Sequence, residues 1–419
     1  METSRLDREV RQTTAPNGLT VLSERVPSVR SAAVGIWVRT ASSHEPRPKM
    51  GVSHLLEHMV FKGTARRSAQ EIAMALESRG GSLDAYTSRD TTAFQARVLD
   101  ADLPRAVDVL TDLVRQPTLR DGDLALERNV ILEEIATVED TPDDLVFDLA
   151  AEALWPAHSY GYSILGTRDT VSGLSTGDLR ALHKRAYVPR NSVVAAAGLV
   201  DHDALLDLLA AHGWLGDGAA GDPPPVPNAP PALRGGEVRH ARDTTQSHLV
   251  FATDTFPYAD RRKYALMVLG NVFGGGMSSR LFQRVREELG LAYAVYAYTS
   301  FYRQVGVVGV YVGTQPRTAA QAAAAIRAEY GRLAREGLDG ETLAEAQQQT
   351  KGQLMLSLES PTARMYRLAG SAVYGEPYQS LDEMLAAVDG LTPGAVAEVA
   401  AEFFDPERQR LTWLGPDQA

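Results

Sequence analysis

The sequence contains no cysteine, and this absence excludes a whole group of chemistries. Disulfide frameworks, iron–sulfur clusters, zinc sites with cysteine ligands and thiolate catalysis all need a thiol. Any metal that this chain binds must therefore be held by histidine, aspartate or glutamate. The chain also lacks an excess of positive charge, because 42 Lys and Arg against 53 Asp and Glu give a net charge of −11. Since nucleic-acid binders normally present a basic surface, we expect no nucleic-acid partner.

Long apolar runs are absent as well. No stretch reaches the roughly 18 apolar residues that a membrane-spanning helix needs, so the sequence predicts no membrane partner. Residues 1–9 mix acids with arginines and have no apolar centre, which is typical of a short solvated tail rather than a secretory signal or a transit peptide. We therefore expect a soluble, cytoplasmic protein.

A Pro/Gly-rich segment at residues 216–236 divides the chain almost in half. It contains three consecutive prolines at 223–225, and proline-rich chain cannot continue a helix or a central strand. Because 419 residues exceed one ordinary core, we predict an N-terminal domain at 1–215, a linker at 216–236 and a C-terminal domain at 237–419. A long surface loop within one domain is the alternative.

Each half carries both strand and helix signals, which favours an α+β fold. Any duplication is too faint to derive from the residues alone. The predicted strands are 18–22 and 31–38 (consistent with a hairpin), 83–99 (one long strand or a hairpin), 192–200, 247–252 and 291–298. The predicted helices are one through 54–58, one opened by the capping-box pair Ser68 and Glu71, several between 103 and 155, one after 260, one at 318–336 and one from 341 onward.

The pentapeptide His54-Leu55-Leu56-Glu57-His58 carries the clearest chemical signal. On a helix, residues i and i+4 share a face, so the two imidazoles can converge on one ion. The leucines would bury the segment, and a buried pair of neutral histidines needs partners, which a zinc ion supplies. Glu57 can lie beside the ion and move a proton, and H-x-x-E-H is the inverted form of a zinc-peptidase motif. The alternative is a solvated helix that happens to carry two histidines.

Catalytic zinc usually has three protein ligands, so a third is expected. The acid-rich helix at 127–139 supplies candidates. Glu127 and Glu134 are seven residues apart and lie on nearly the same face, whereas Glu133 points about 120° away from Glu127. The residues alone leave the choice among these carboxylates open.

The segment from His54 to Thr64, followed by a glutamate 76 positions after His58, closely resembles the pitrilysin-type metallopeptidases. It looks most like their short, two-domain branch, which contains mitochondrial processing peptidase. The resemblance covers nearly the whole chain and implies an α+β fold of two similar domains, each a mainly antiparallel sheet packed with helices. It also implies that His54, His58 and Glu134 bind one zinc ion per chain. By the same match Glu57 is the general base on water at that zinc, and Glu127 is a supporting group that orients a ligand.

Residues 80–88 resemble the family's active-site edge strand, to which a peptide substrate adds through main-chain hydrogen bonds. This implies substrate-binding roles for Asp84, Ala85, Tyr86 and Thr87. The family usually has asparagine at the position of Asp84, and an ionised acid can accept a substrate N–H but cannot donate. An ordinary hairpin is the alternative for this segment.

In the second half, Gly274, Gly275 and Gly276 resemble a family loop that is implicated in substrate handling. The run lacks the Gly-Lys-Ser/Thr of a phosphate-binding loop. Arg286 and Tyr293 match a family pair that contacts the substrate and steadies the reacting carbonyl. Without that match, we would interpret Arg286 as a member of a surface ion pair and Tyr293 as a core aromatic.

The resemblance predicts a zinc-dependent endopeptidase that hydrolyses peptides or unfolded segments. Short family members form dimers that enclose a chamber, with the second domain of one subunit facing the zinc of the other. We therefore expect a homodimer in which Arg286 and Tyr293 act in trans, and a heterodimer is the alternative. The rival function is a non-catalytic scaffold or partner subunit of a heteromeric peptidase-like assembly. The complete set of His54, His58, Glu134 and Glu57 argues against that rival.

Overall fold

The computed structural model describes residues 9–216 and 223–416. Residues 1–8 of the predicted tail and residues 217–222 of the predicted linker lie outside these ranges. The strands are β1 Val10–Thr14, β2 Thr20–Arg25, β3 Ser31–Val38, β4 Ser82–Thr87, β5 Thr92–Leu99, β6 Ser192–Gly198, β7 Glu237–Ala241, β8 Ser247–Thr255, β9 Ala292–Phe301, β10 Gly306–Thr314 and β11 Arg410–Gly415.

Helices account for most of the remaining described chain. They are α1 Val52–Val60, α2 Ala69–Glu77, α3 Leu103–Arg115, α4 Asp121–Glu139, α5 Pro142–Leu154, α6 Arg168–Gly173, α7 Thr176–Ala186, α8 His202–Ala211, α9 Lys263–Gly274, α10 Ala319–Glu336, α11 Gly340–Ser357, α12 Pro361–Tyr374, α13 Leu381–Asp389 and α14 Pro393–Phe403, with a π-helical segment at Phe282–Glu288. No single described helix is long and apolar enough to cross a membrane, whereas the bent pair α13 and α14 meets that test when taken together.

The first unit is built on a six-stranded sheet in the order β1-β2-β6-β3-β5-β4. Neighbouring strands are antiparallel except β2 and β6, which are parallel. Alternate residues of β3 face opposite ways: Val34 and Ile36 pack with α1, α2 and α3, whereas Ala33 and Trp37 pack with α12. Because both faces are covered, β3 carries only apolar residues and one glycine from Ala32 to Val38 instead of alternating with polar residues.

The second unit repeats this plan. Its five-stranded sheet has the order β7-β11-β8-β10-β9, again with one parallel pair, β7 and β11. Reading β2 to β6 of the first sheet as β7 to β11 of the second gives the same strand order and the same parallel pair. The expected α+β fold of two similar, mainly antiparallel domains is therefore confirmed. The duplication could not be derived from the residues, but the shared strand order shows it.

Neither unit is continuous in sequence. Among the described residues, the first comprises 9–135, 163–216, 223–227 and 355–382, and the second comprises 136–162, 228–354 and 383–416. Helix α5, from the N-terminal half, thus packs on the second sheet, and α12, from the C-terminal half, packs on the first. A division at the Pro/Gly-rich segment does not anticipate this exchange, because apolar helix faces do not reveal which sheet they cover.

One local prediction is wrong. The strands at 18–22 and 31–38 do not form a hairpin, because β6 lies between β2 and β3 and pairs with both. By contrast, residues 83–99 do form a hairpin, β4 and β5, with its turn at residues 88–91. The capping box also forms: Glu71 N donates to Ser68 Oγ at 3.3 Å, and Ser68 N donates to Glu71 Oε2 at 2.8 Å.

Candidate metal centre

The buried carboxyl group of Glu45 caps the N-terminus of α1. Gly51 N donates to Glu45 Oε2 at 2.8 Å and Ser53 N donates to Glu45 Oε1 at 2.7 Å. These are amide groups that no helical turn can satisfy, and a carboxyl group is favourable at this end of the helix dipole. Burial is the largest effect on Glu45 and raises its pKa to about 7. Sequence reasoning missed this cap, because Glu45 lies outside the short-range capping patterns.

The two histidines of α1 face the same way. The ring centres of His54 and His58 are 4.6 Å apart, as one helical turn between residues i and i+4 requires. The leucines between them are fully buried, which draws the helix into the core of the first unit. Burial, with a smaller contribution from His58, lowers the pKa of His54 to about 3. His54 is therefore neutral at physiological pH, and its lone pair is available to a metal.

Helix α4 brings a carboxylate to the same point. Glu134 Oε2 lies 3.7 Å from His54 Nε2 and 3.8 Å from His58 Nε2, and the three ligand atoms are all within 4.8 Å of one another. These separations are too long for hydrogen bonds. Tetrahedral zinc with bonds of about 2.0–2.1 Å holds its ligand atoms roughly 3.3–3.4 Å apart, so a small inward movement would complete the site.

Glu127 orients His58. Its Oε2 lies 3.1 Å from His58 Nδ1, and because a carboxylate only accepts, Nδ1 carries the proton and donates it. The Nε2 lone pair of His58 is then directed at the convergence point, which is the arrangement found in metal-ligating histidines. The other Glu127 oxygen, Oε1, forms an ion pair with Lys62 Nζ. Sequence reasoning anticipated Glu127 but not Lys62.

Glu57 is buried beside this group without belonging to it. Thr87 Oγ1, at the end of β4, donates to Glu57 Oε2 at 2.6 Å. Burial raises the pKa of Glu57 above its ordinary value, and the Thr87 hydrogen bond opposes that change. A carboxylate with one oxygen held and a raised proton affinity is suited to take a proton and return it.

Strand β4 presents two different faces. Leu83 and Ala85 pack with the core beneath α1, on the side from which Thr87 reaches Glu57. Tyr86 points the other way, where its hydroxyl accepts a hydrogen bond of 3.1 Å from Trp37 Nε1. Asp84 shares that second face by strand alternation. Four residues of β4 were predicted to bind substrate. The structure thus places the Thr87 and Ala85 side chains towards α1 and the Asp84 and Tyr86 side chains away from it.

A short segment before α1 links the β4–β5 hairpin to α1. At the hairpin tip, Ser43 Oγ donates to Asp90 Oδ1 at 2.9 Å and Ser43 N donates to Arg89 O at 2.7 Å. Two residues later, Glu45 holds the start of α1. Because β4 pairs only with β5 among the described strands, its outer edge is open, and residues 43–45 contact both the β4–β5 turn and the start of α1.

Arg286 and Tyr293 lie together in the second unit. The Arg286 guanidinium carbon is 4.5 Å from the ring centre of Tyr293 and 4.6 Å from that of Phe282, and Nη1 donates to Tyr293 O at 3.3 Å. Arg286 belongs to the π-helical segment, a rare form that is often found at functional sites. Tyr293 is 80% exposed, so it is not a core aromatic. Phe282, the second ring beside Arg286, was missed because nothing in the sequence marks it.

The three glycines differ in their surroundings. A Cβ on Gly274 would lie 2.4 Å from Ala297 N, and a Cβ on Gly275 would lie 2.8 Å from Asn271 Cα and 2.9 Å from Asn271 O. Packing alone therefore requires glycine at both positions. A Cβ on Gly276 would meet nothing within 4 Å, so only this position is open to a ligand. Their predicted role in substrate binding stays a prediction.

Models of two protein families match the chain. The family described as "Insulinase (Peptidase family M16)" matches residues 20–168, which include all three candidate ligands and Glu57. The family described as "Peptidase M16 inactive domain" matches residues 173–350, which include Arg286 and Tyr293.

Similar proteins agree with this assignment. An uncharacterized zinc protease of Streptomyces coelicolor is 40% identical over 97% of this chain and 90% of its own length, and one of Bacillus subtilis is 37% identical over 97% and 98%. In fold, the chain resembles a Helicobacter pylori protease with a TM-score of 0.90 at 22% identity, covering 97% of this chain and 99% of that one. It equally resembles a Pseudomonas fluorescens structure described as a peptidase M16 inactive domain, with a TM-score of 0.90 at 20% identity, covering 98% and 99%. The chain therefore belongs to peptidase family M16, the insulinase and pitrilysin family, in its short two-domain form.

Proposed function

We propose that this chain is a zinc-dependent endopeptidase that hydrolyses peptides or unfolded segments, with one zinc ion per chain. The observation that carries the proposal is the convergence of His54 Nε2, His58 Nε2 and Glu134 Oε2 beside the buried carboxylate of Glu57. Membership of peptidase family M16 and relatives named zinc proteases support it.

The donor set suits zinc. Two neutral imidazoles and one carboxylate are a common ligand set of catalytic zinc, and they leave a fourth position open. His58 has its Nδ1 proton held by Glu127, so that its Nε2 faces inward. A zinc ion bound here would polarise the scissile carbonyl and lower the pKa of water at the fourth position.

Glu57 performs the proton transfers. With Oε2 held by Thr87, Oε1 remains to accept a proton from the attacking water. The same oxygen then returns the proton to the leaving amine. The raised pKa of Glu57 favours the first step, because a carboxylate that holds a proton more tightly is the stronger base. An amine nitrogen is a stronger base than a carboxylate, so the proton still passes to it in the second step.

Strand β4 receives the substrate. A peptide pairing with its open edge would use the main-chain groups of residues 84–87, next to Glu57. The Asp84 side chain lies on the face of the sheet away from α1. The aspartate at this position, where the family usually has asparagine, is therefore not next to the scissile bond in this proposal.

Arg286 and Tyr293 donate to the oxyanion that develops on the scissile carbonyl. The Arg286 guanidinium packs against the rings of Phe282 and Tyr293, so the guanidinium and the Tyr293 phenol lie together at an exposed position. We propose that they do so in trans, within a homodimer.

The test joins metal analysis with peptide cleavage. Purified protein is assayed for zinc and for hydrolysis of a quenched fluorescent peptide library, before and after chelation and after zinc is restored. We expect about one zinc per chain and cleavage that disappears with chelator and returns with zinc. A protein that binds no zinc and cleaves nothing after zinc is added would overturn the proposal and favour the non-catalytic scaffold.

A further inference from the structure

Lys62 lies just beyond the end of α1 and reaches the carboxylate that orients His58. Its ammonium group pairs with Glu127 Oε1, while Glu127 Oε2 accepts the His58 Nδ1 proton at 3.1 Å. The Glu127 side chain is only 7% exposed, so neither oxygen has ready access to bulk water. Both oxygens of this carboxylate are thus held from opposite sides.

Two fixed oxygens define one carboxylate plane. The terminal torsion of a glutamate is broad, so a carboxylate held at one oxygen can rotate and offer its bond at a range of angles. The Lys62 ion pair removes that freedom, and the His58 ring is then held in one orientation. An ordinary surface ion pair contributes little, but here one partner is buried, so loss of the lysine leaves a buried carboxylate without its cation.

The backbone around Lys62 is held independently of its side chain. Lys62 O accepts from Arg120 Nη2 at 3.1 Å, and Gly63 O accepts from Thr118 N at 3.0 Å. Gly63 has φ = +131°, and a Cβ there would lie 3.1 Å from Arg67 O. Truncating the Lys62 side chain therefore removes the ammonium group without releasing the segment.

We propose that Lys62 is a positioning residue for the metal ligand His58, acting through Glu127. This inference rests on the proposed zinc site. Lys62 contacts neither the ligand atoms nor a substrate in this scheme, and its effect is on metal affinity.

The test measures zinc dissociation constants by competition with a chelator of known affinity, using Zn²⁺ alone as the probe. Lys62→Met should weaken zinc binding about 10-fold, at the lower end of the range for groups that support ligands. Lys62→Arg, which keeps the cation, should stay within about 3-fold of wild type. Lys351→Met is the control for loss of a lysine ion pair as such, because Lys351 pairs at 2.6 Å with Asp389 in the second unit, where the aspartate side chain is exposed.

A second pair of variants separates positioning from general loss of structure. In a Glu127→Gln background, adding Lys62→Met should change the zinc dissociation constant by less than about 2-fold, because the path through Glu127 is already broken. An equal effect in both backgrounds would overturn the proposal, as would a Lys62→Met protein that binds zinc as tightly as wild type. A wild-type chain that takes up no zinc would instead overturn the proposed function, and this inference with it.

Discussion

The hydroxyl of Thr87 donates a 2.6 Å hydrogen bond to Oε2 of Glu57 and so joins the open edge strand β4 to the carboxylate beside the candidate metal ligands. The residue that ends the predicted substrate strand therefore also orients the predicted base. In the proposed function, substrate pairing along β4 and proton transfer at Glu57 share this one contact.

Replacing Thr87 by valine should lower kcat roughly 10-fold and leave KM and zinc content nearly unchanged, because a hydrogen bond to a charged group is lost while shape is kept. The Thr87 bond lowers the pKa of Glu57. Its loss should therefore move the acid limb of the pH–rate profile to higher pH. Thr87→Ser keeps the hydroxyl and is the control. A rise in KM with unchanged kcat would mean that Thr87 acts on the substrate alone.

Glu45 should make stability depend on pH. Burial raises its pKa to about 7, so the folded chain holds this proton more tightly than the unfolded chain. Its contribution to the free energy of unfolding should fall as pH rises from about 5 to 8, by about 3 kcal/mol at most. Urea unfolding of metal-free wild type and Glu45→Gln at several pH values measures the difference between the two. A difference that does not change with pH would contradict the prediction.

Variants of the glycine run should distinguish a position that is needed for packing, Gly274, from one that is open to substrate, Gly276. Gly274→Ala places a Cβ 2.4 Å from Ala297 N, so it should lower Tm by a few degrees, the usual result of about 1–3 kcal/mol of overpacking. Gly276→Ala meets nothing within 4 Å and should leave Tm unchanged. If the loop handles substrate, Gly276→Ala should raise KM. Equal thermal stability of the two variants would show that the close approach is relieved at no cost.

Arg286 and Tyr293 should act on the site of the partner subunit. Glu57→Gln and Tyr293→Phe proteins, each nearly inactive, should recover some activity when they are mixed and allowed to exchange subunits, because one mixed site is intact. Analytical ultracentrifugation of each variant checks that dimers form. The absence of rescue at every mixing ratio, despite subunit exchange, would argue for action in cis.

The elements that local patterns specify could be predicted from the sequence. The i, i+4 histidines with leucines between them indicated the helix observed as α1, and the continuous run of mostly apolar residues at 31–38 predicted β3 with the observed bounds. Glu134 could be chosen only through the family resemblance, since the residues alone left the choice among Glu127, Glu133 and Glu134 open. The exchange of α5 and α12 could not be predicted, because an apolar helix face fits either sheet.

The contacts that support the candidate site could not be predicted from the sequence either. Glu45 caps α1 from outside the common capping patterns, and Lys62 meets Glu127 across 65 positions in sequence. The predicted hairpin of 18–22 with 31–38 failed for the same reason, since β6 enters from residue 192 onward. Pairings over such distances are set by tertiary packing, which local patterns do not encode.

The most direct test of the central claim is the zinc content of Glu134→Ala, compared with wild type and with Glu133→Ala on the same helix, after dialysis at low free zinc. We predict about one zinc per chain in wild type and Glu133→Ala, and loss of zinc and of peptide cleavage in Glu134→Ala. Wild-type zinc content and cleavage in Glu134→Ala would contradict the account.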